Sequence, residues 1–416
     1  MTPTAEADLE RQNRSLLDIL CAARPRLTGL KPALQAVPGM AENRILHAGP
    51  PIAWAQMTPA MQAAVAGALV HEGLAGTLEG AAALAGSGEI DFAPAHDHQA
   101  AGAMAGIVSA SMPVFVAEDA VSGLKAFATV NEGLGKTLRF GANGPEVLAR
   151  LAWIRDDLAP LLDAALAAHE PLDLGGLVAE ALRRGDECHN RNKAATALVF
   201  RELALSLVDC DAPRSAVAEA LRFVAGNDHF FLNLSMAHAK AVTLALEREA
   251  KGSLVTTMAG NGREVGIRTS ATGARWFTAP AEVADVRLFA GQSLEDATPT
   301  MGDSYVTEAI GLGGFALAAA PAIAEFVGGT VADLVARSER MREIAVGEHS
   351  RFLIPSLGFR GVPSGIDVHR VARSGIAPIV NTGVASKRPG AGQIGAGVQS
   401  FPLAVFQAAA RALEAA

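Results

Sequence analysis

The strongest restriction on this chain is a change of character near Pro145 that reverses near Lys251. Between those points Ala, Leu, Glu and Arg dominate and β-branched runs are scarce, the pattern of packed helices. On either side, short β-rich runs alternate with Gly- and Pro-marked turns, the pattern of sheets carrying helices. The expected fold is therefore α+β and multidomain, with mixed α/β regions at both ends and a small helical domain inserted in the middle. The boundaries fall at 1–150, 151–250 and 251–416, the last region bearing Gly-rich loops. A chain of 416 residues exceeds what one core usually serves, and its 50% hydrophobic content excludes disorder.

Within this frame the middle region predicts helices from about Glu187, with Asp186 as cap, to Val208, then Ala216–Val224 and Leu232–Glu249. Earlier, Met57–Leu69 has helical spacing, and Met112–Val116 and Ala126–Val130 read as strands. After Lys251, Leu254–Met258 and Val265–Thr269 flank the turn Gly260-Asn261-Gly262, a hairpin signal. Val286–Ala290 is a further strand, residues 305–325 and 330–346 read as helices, and a last helix starts near Leu403.

The net charge of −8 argues against non-specific nucleic-acid binding, which needs surplus Lys and Arg. A small anion still fits, because a few local arginines override the global sign. Three cysteines, Cys21, Cys188 and Cys210, show no CxxC spacing, so no disulfide framework is expected. The amino terminus is polar and acidic without an apolar core, which predicts no signal peptide. Pro113 and Pro321 interrupt the two longest uncharged runs, 99–117 and 309–324, so neither reads as a membrane span. The expectation is a cytoplasmic, enzyme-like protein with no nucleic-acid or membrane partner, forming a homo-oligomer.

Two glycine patterns mislead. Residues 133–137 end like a phosphate loop, but Val130 stands where the first glycine is needed. Residues 390–395 match GxGxxG, but too little chain follows for a βαβ unit.

Four polar clusters ask for chemistry. The densest is Asp186-Glu187-Cys188-His189-Asn190-Arg191-Asn192-Lys193, which opens a predicted helix, where free amides favour anions. As a helix it would face Asp186 to Asn190, Glu187 to Arg191 and His189 to Lys193. The second is His96-Asp97-His98; if extended, both imidazoles share a face and suit a base with its partner or two metal ligands. The third is Asn227-Asp228-His229 before Phe230, where a helix cap is the plain alternative; His47 and Asn131 add polar groups beside apolar runs, and Asn233 follows. The fourth is Arg263, Arg268 and Arg275 around the hairpin, where a guanidinium can grip a carboxylate or phosphate.

Eight stretches together carry a family likeness: ILHAGPPI (45–52), SMPVFV (111–116), NEGLGK (131–136), GDECHNRNKAA (185–195), NDHFFLNLSMA (227–237), RWFTAPA (275–281), VNTG (380–383) and PGAGQIGAG (389–397). The chain resembles the AllG (YlbE, YahG) family from about residue 30 to its end. The resemblance implies a cytoplasmic subunit of an oxamate carbamoyltransferase, in allantoin or related nitrogen catabolism. Such an enzyme moves a carbamoyl group between oxalurate and phosphate, beside FdrA-like and AllH-like subunits. It also implies an α+β fold with an inserted helical domain. It supplies no catalytic residues.

Carbamoyl transfer needs cations for phosphate and carboxylate, donors for an oxyanion, and a base. The residues place His189, with His96 or His98 as substitutes, as acid/base, and Glu187 as its orienting partner. Arg191 and Lys193, then Arg263 and Arg275, are the anion binders. Asn190 and Asn233 are oxyanion donors, with His47 and Asn131 as further binding residues. Cys188 as nucleophile is the weaker option, since a thiol on a helix usually packs. No cofactor is expected. One rival reading is an amidohydrolase holding a divalent metal on His96, His98 and Glu187; another is a non-catalytic assembly subunit.

Overall fold

The computed structural model describes residues 3–284, 286–388 and 390–415, with the side chains of residues 325 and 326 left aside; Pro389 of the Gly-rich motif lies outside the described residues. The fold is α+β, with mixed regions at both ends around a helical middle. Among the described residues the strands form five small sheets. In the amino-terminal sheet the order is Lys125–Thr129, Pro113–Asp119, Pro25–Pro32, Leu172–Asp173, all antiparallel. A parallel pair, Arg44–His47 with Asp91–Pro94, is spanned by helices Pro59–His71 and Leu78–Ser87.

The predicted hairpin is present as Val255–Asn261 paired with Glu264–Thr269, extended by Phe277–Pro280 and Met301–Gly302. Ile379–Ala385 and Gln393–Ser400 pair antiparallel, with Arg287–Leu288 on the outer edge. Ala345–Ile354 and Arg360–Ile366 form a hairpin that periodicity did not predict.

The helix Phe230–Arg248 organises the interior: sixteen of its nineteen residues are buried, so it is enclosed all round rather than amphipathic. Phe230 and Phe231 are fully buried, and Phe230 meets Phe115 of the first sheet edge-on at 5.7 Å. The largest apolar cluster runs from Leu16 through the middle helices to Val362, so all three expected regions contribute to one core.

Two expected helices differ. The helix expected from Glu187 begins instead at Lys193 and ends at Asp209. Residues 186–192 form a loop, because Cys188 takes a left-handed φ of 60° that no helix accommodates. The stretch 305–325 is not one helix but short turns, Val306–Ala309 and Gly313–Ala319 among them, broken at Gly311 and Gly313, whose φ values are positive.

Candidate functional site

The loop 186–192 turns its carboxylates onto its own backbone. Glu187 accepts N–H bonds from His189 at 2.8 Å and Arg191 at 2.6 Å. Asp186 accepts the Ala195 N–H at 2.8 Å, capping the next helix from outside its first turn. The pairings expected from helical spacing are therefore replaced. Arg191 holds the Gly185 carbonyl at 3.0 Å and Asp186 at 3.3 Å, while Lys193 pairs with Asp228 at 2.8 Å. Glu187 shapes the turn rather than facing a ligand. Burial raises its carboxyl to about 7. Cys188 is fully buried and burial pushes its thiol well up, so it offers no thiolate.

His189 finds a partner absent from the sequence reading. Its Nδ1 donates to Glu308 at 2.9 and 3.0 Å, beside Thr307 Oγ1 at 3.1 Å. Glu308 also accepts the N–H of Gly314 at 3.1 Å and of Asn381 at 2.9 Å. Burial alone would lower the imidazole, yet Glu308's charge and hydrogen bond hold it above its ordinary value. Gly313 closes against this pair: a Cβ there would overlap Glu308 Oε1 and lie 3.0 Å from His189 Nδ1.

The residues that follow His189 in the chain wall a recess of about 460 Å³, a size suited to a small molecule. Asn190, Arg191, Asn192 and Lys193 form one wall, Asp228 and His229 a second, and Leu134, Ala322 and Ile323 an apolar third. Asn190 reaches the Gly397 carbonyl at 3.3 Å, tying the recess to the Gly-rich strand. His229 is driven to about 3 by burial and by the charge of Arg139, which keeps it neutral. The NEGLGK loop is fastened behind it. Asn131 Nδ2 donates to Asn233 at 2.8 Å, Asn227 donates to the Asn131 carbonyl at 2.8 Å, and Asn233 donates to the Thr129 carbonyl at 2.7 Å. Asn131 and Asn233 are thus struts rather than ligand donors. Gly392 lets the Gly-rich loop approach this one, since a Cβ would stand 2.6 Å from the Gly135 carbonyl oxygen.

The other predicted residues lie elsewhere. Residues 95–98 form a tight 3₁₀ turn, so His96 and His98 do not share a face. His96 is buried with Nε2 3.4 Å from Asp303, while His98 turns outward to the Pro38 carbonyl at 2.7 Å. With Glu187 spent on its own turn, the triad of the metal-dependent rival is not assembled, and no group of three or more His, Cys, Asp or Glu among the described residues could hold a metal. His47 is buried near Asp303, which accepts the N–H of Gly49 at 2.8 Å and of Gly102 at 3.0 Å. Arg268 joins this second cluster, pairing with Asp97 and lying 4.3 Å from the Trp276 ring. Arg263 and Arg275 are exposed; one holds the Gln56 carbonyl at 2.8 Å and the other covers Phe277 at 4.8 Å. They leave the recess because the hairpin packs its loop end against residues 50–58 instead.

Sequence reasoning missed Glu308 and Asp303, which sit at the two ends of one short segment and serve the two clusters. Neither belongs to a recognisable spacing. The one available signal was the pair of carboxylates within an otherwise uncharged stretch from 297 to 324.

A sequence model of the family described as "Oxamate carbamoyltransferase subunit AllG" matches residues 90–304. Oxamate carbamoyltransferase subunit AllG of Escherichia coli K12 is 43% identical over 404 residues, covering 96% of each chain. The chain belongs to the AllG family. YahG of the same organism, an uncharacterised protein, is 45% identical over 397 residues, covering 95% of this chain and 84% of its own. A crystal structure of a conserved protein of unknown function from Enterococcus faecalis V583 superposes with a TM-score of 0.97 at 43% identity, covering 100% of this chain and 99% of that one. Among the described residues no helix is long and apolar enough to cross a membrane.

Proposed function

We propose that this AllG-family chain is a subunit of an oxamate carbamoyltransferase and carries the small-molecule recess in which carbamoyl transfer takes place. The observation that carries the reading is the buried His189–Glu308 pair, with His189 immediately before the Asn190–Lys193 stretch that walls the recess. In the transfer the amide nitrogen of oxamate attacks the carbonyl carbon of carbamoyl phosphate. The carbon–oxygen bond to phosphate breaks, and oxalurate and phosphate leave; the catabolic direction is the reverse. Arg191 and Lys193 supply the cationic wall for phosphate and carboxylate. All hydrogen bonds of the His189 ring run through Nδ1, which leaves Nε2 for the substrate. A raised imidazole, anchored by a carboxylate, is suited to steady the oxyanion and exchange the amide proton. FdrA-like and AllH-like subunits complete the enzyme, in the cytoplasm and in nitrogen catabolism, with no cofactor required.

The test is the reconstituted three-subunit complex, assayed for carbamoyl phosphate formed from oxalurate and phosphate. His189→Asn and Arg191→Ala each lower turnover about a hundredfold or more while the complex still assembles. Full turnover in both variants would place the chemistry on another subunit, as in the assembly-subunit reading.

A further inference from the structure

Asn381 is fully buried, yet neither its side-chain oxygen nor its side-chain nitrogen has a hydrogen-bond partner. Among the described residues no other Asn or Gln is buried with both ends unpaired. A buried amide left this way destabilises the fold, so it asks for a reason. Its place supplies one. Asn381 lies in the strand Ile379–Ala385, and its backbone N–H donates to Glu308 Oε1, the oxygen His189 also reaches. Across the sheet it pairs with Val398, next to the Gly397 carbonyl that receives Asn190 from the recess wall. Two positions along the same face, Ile379 packs in one cluster with Ile323 of the recess and with Val398. The unpaired amide therefore sits, fully buried, on the strand that links the dyad to a residue pair next to the recess wall.

An amide side chain presents a donor and an acceptor side by side in one plane. The group that satisfies both at once carries the same pair reversed: a primary carboxamide or a ureido group. A carboxylate or a phosphate has acceptors only and would leave the Asn381 oxygen unpaired. We infer that Asn381 reads the carboxamide or ureido end of the substrate through a two-point hydrogen bond, and so determines the preference for amide over acid. This rests on the function proposed above. The substrate's carboxylate faces the Arg191 and Lys193 wall, and its amide end faces inward to Asn381 and His189.

Oxamate and oxalate are the probes, since they share one skeleton and differ only in amide against carboxylate. Each is titrated into the full chain by calorimetry, with thermal unfolding recorded alongside. The wild-type chain binds oxamate more tightly than oxalate. Asn381→Leu, close in size but without polar atoms, loses about tenfold or more in oxamate affinity, with an unchanged or raised Tm, because an unpaired buried amide has been removed. Asn381→Asp keeps the size but loses the donor, and its preference for oxamate over oxalate collapses; it also serves as the readable variant should the Leu chain fail to fold. A Leu variant that binds oxamate like the wild type, or an Asp variant with an unchanged oxamate-to-oxalate ratio, overturns the role of Asn381 alone. Wild-type protein that binds neither probe overturns the functional reading, and this inference with it.

Discussion

At the residue scale, the site is set by two buried carboxyls, Glu308 beside His189 and Glu187 within its own turn. Glu308 holds His189 above its ordinary value against the opposing effect of burial, so removing its charge leaves burial in command. Glu308→Gln is expected to move the His189 pKa below 6.5, read from ring nitrogen shifts in a pH titration, and to cost about a hundredfold in turnover of the assembled enzyme. An unmoved titration would mean the pair is not coupled. Glu187 gives a second, independent effect. Its folded value of about 7 lies above the usual carboxyl range, so folding favours the protonated form. The stability it contributes is fully present below about pH 4.3 and is lost as pH rises through about 7, on the order of 3 kcal/mol at most. His189, also raised, adds loss in the same direction. Denaturant unfolding across pH 4 to 8 should show stability falling, with a flatter profile for Glu187→Gln; equal slopes would remove Glu187 as the cause. His189, Asn190 and Arg191 were legible in the sequence because polar residues crowded where a helix surface was otherwise expected. Glu308 was not, since a lone glutamate 119 positions away carries no spacing signal.

At the element scale, the site depends on loops that could not be helices. The positive φ of Cys188 ends any helix across 186–192 and turns Asp186 and Glu187 inward as backbone acceptors. Gly313, with φ of 56°, brings its chain against Glu308 where a side chain would overlap the carboxylate. Gly313→Ala should therefore lose roughly 1–3 kcal/mol from its backbone conformation alone and also displace the dyad, lowering both the denaturation midpoint and turnover. Wild-type values for both would show that this close approach has no consequence. The hairpin around residues 260–262 and the three main helices of the middle region were readable from turn residues and periodicity. The strands at 345–354 and 360–366 were not. Their burial does not alternate cleanly, and a bulge shifts their register between Glu348 and Leu353.

At the scale of the whole molecule, the regions at the two ends and the helical middle meet on one helix, Phe230–Arg248, and share a core that crosses every expected boundary. Shared burial couples their stability, so calorimetry of the isolated chain should show one cooperative transition rather than separate ones. Phe231→Ala, at a fully buried position of that helix, should cost about 3–5 kcal/mol and shift the whole transition down. Independent transitions, or a shift confined to one of them, would argue that the regions fold apart. The sequence by itself determined the class of fold, the helical middle, the hairpin, the family and the segment around His189, because propensity, turn chemistry and local crowding of polar groups act over a few residues. Only the tertiary structure decided that Glu308 is the partner of His189, that Arg263, Arg275 and His98 face away, and that the buried amide of Asn381 is left without a partner. Those outcomes depend on which distant segments burial brings into contact, and no short-range pattern encodes that.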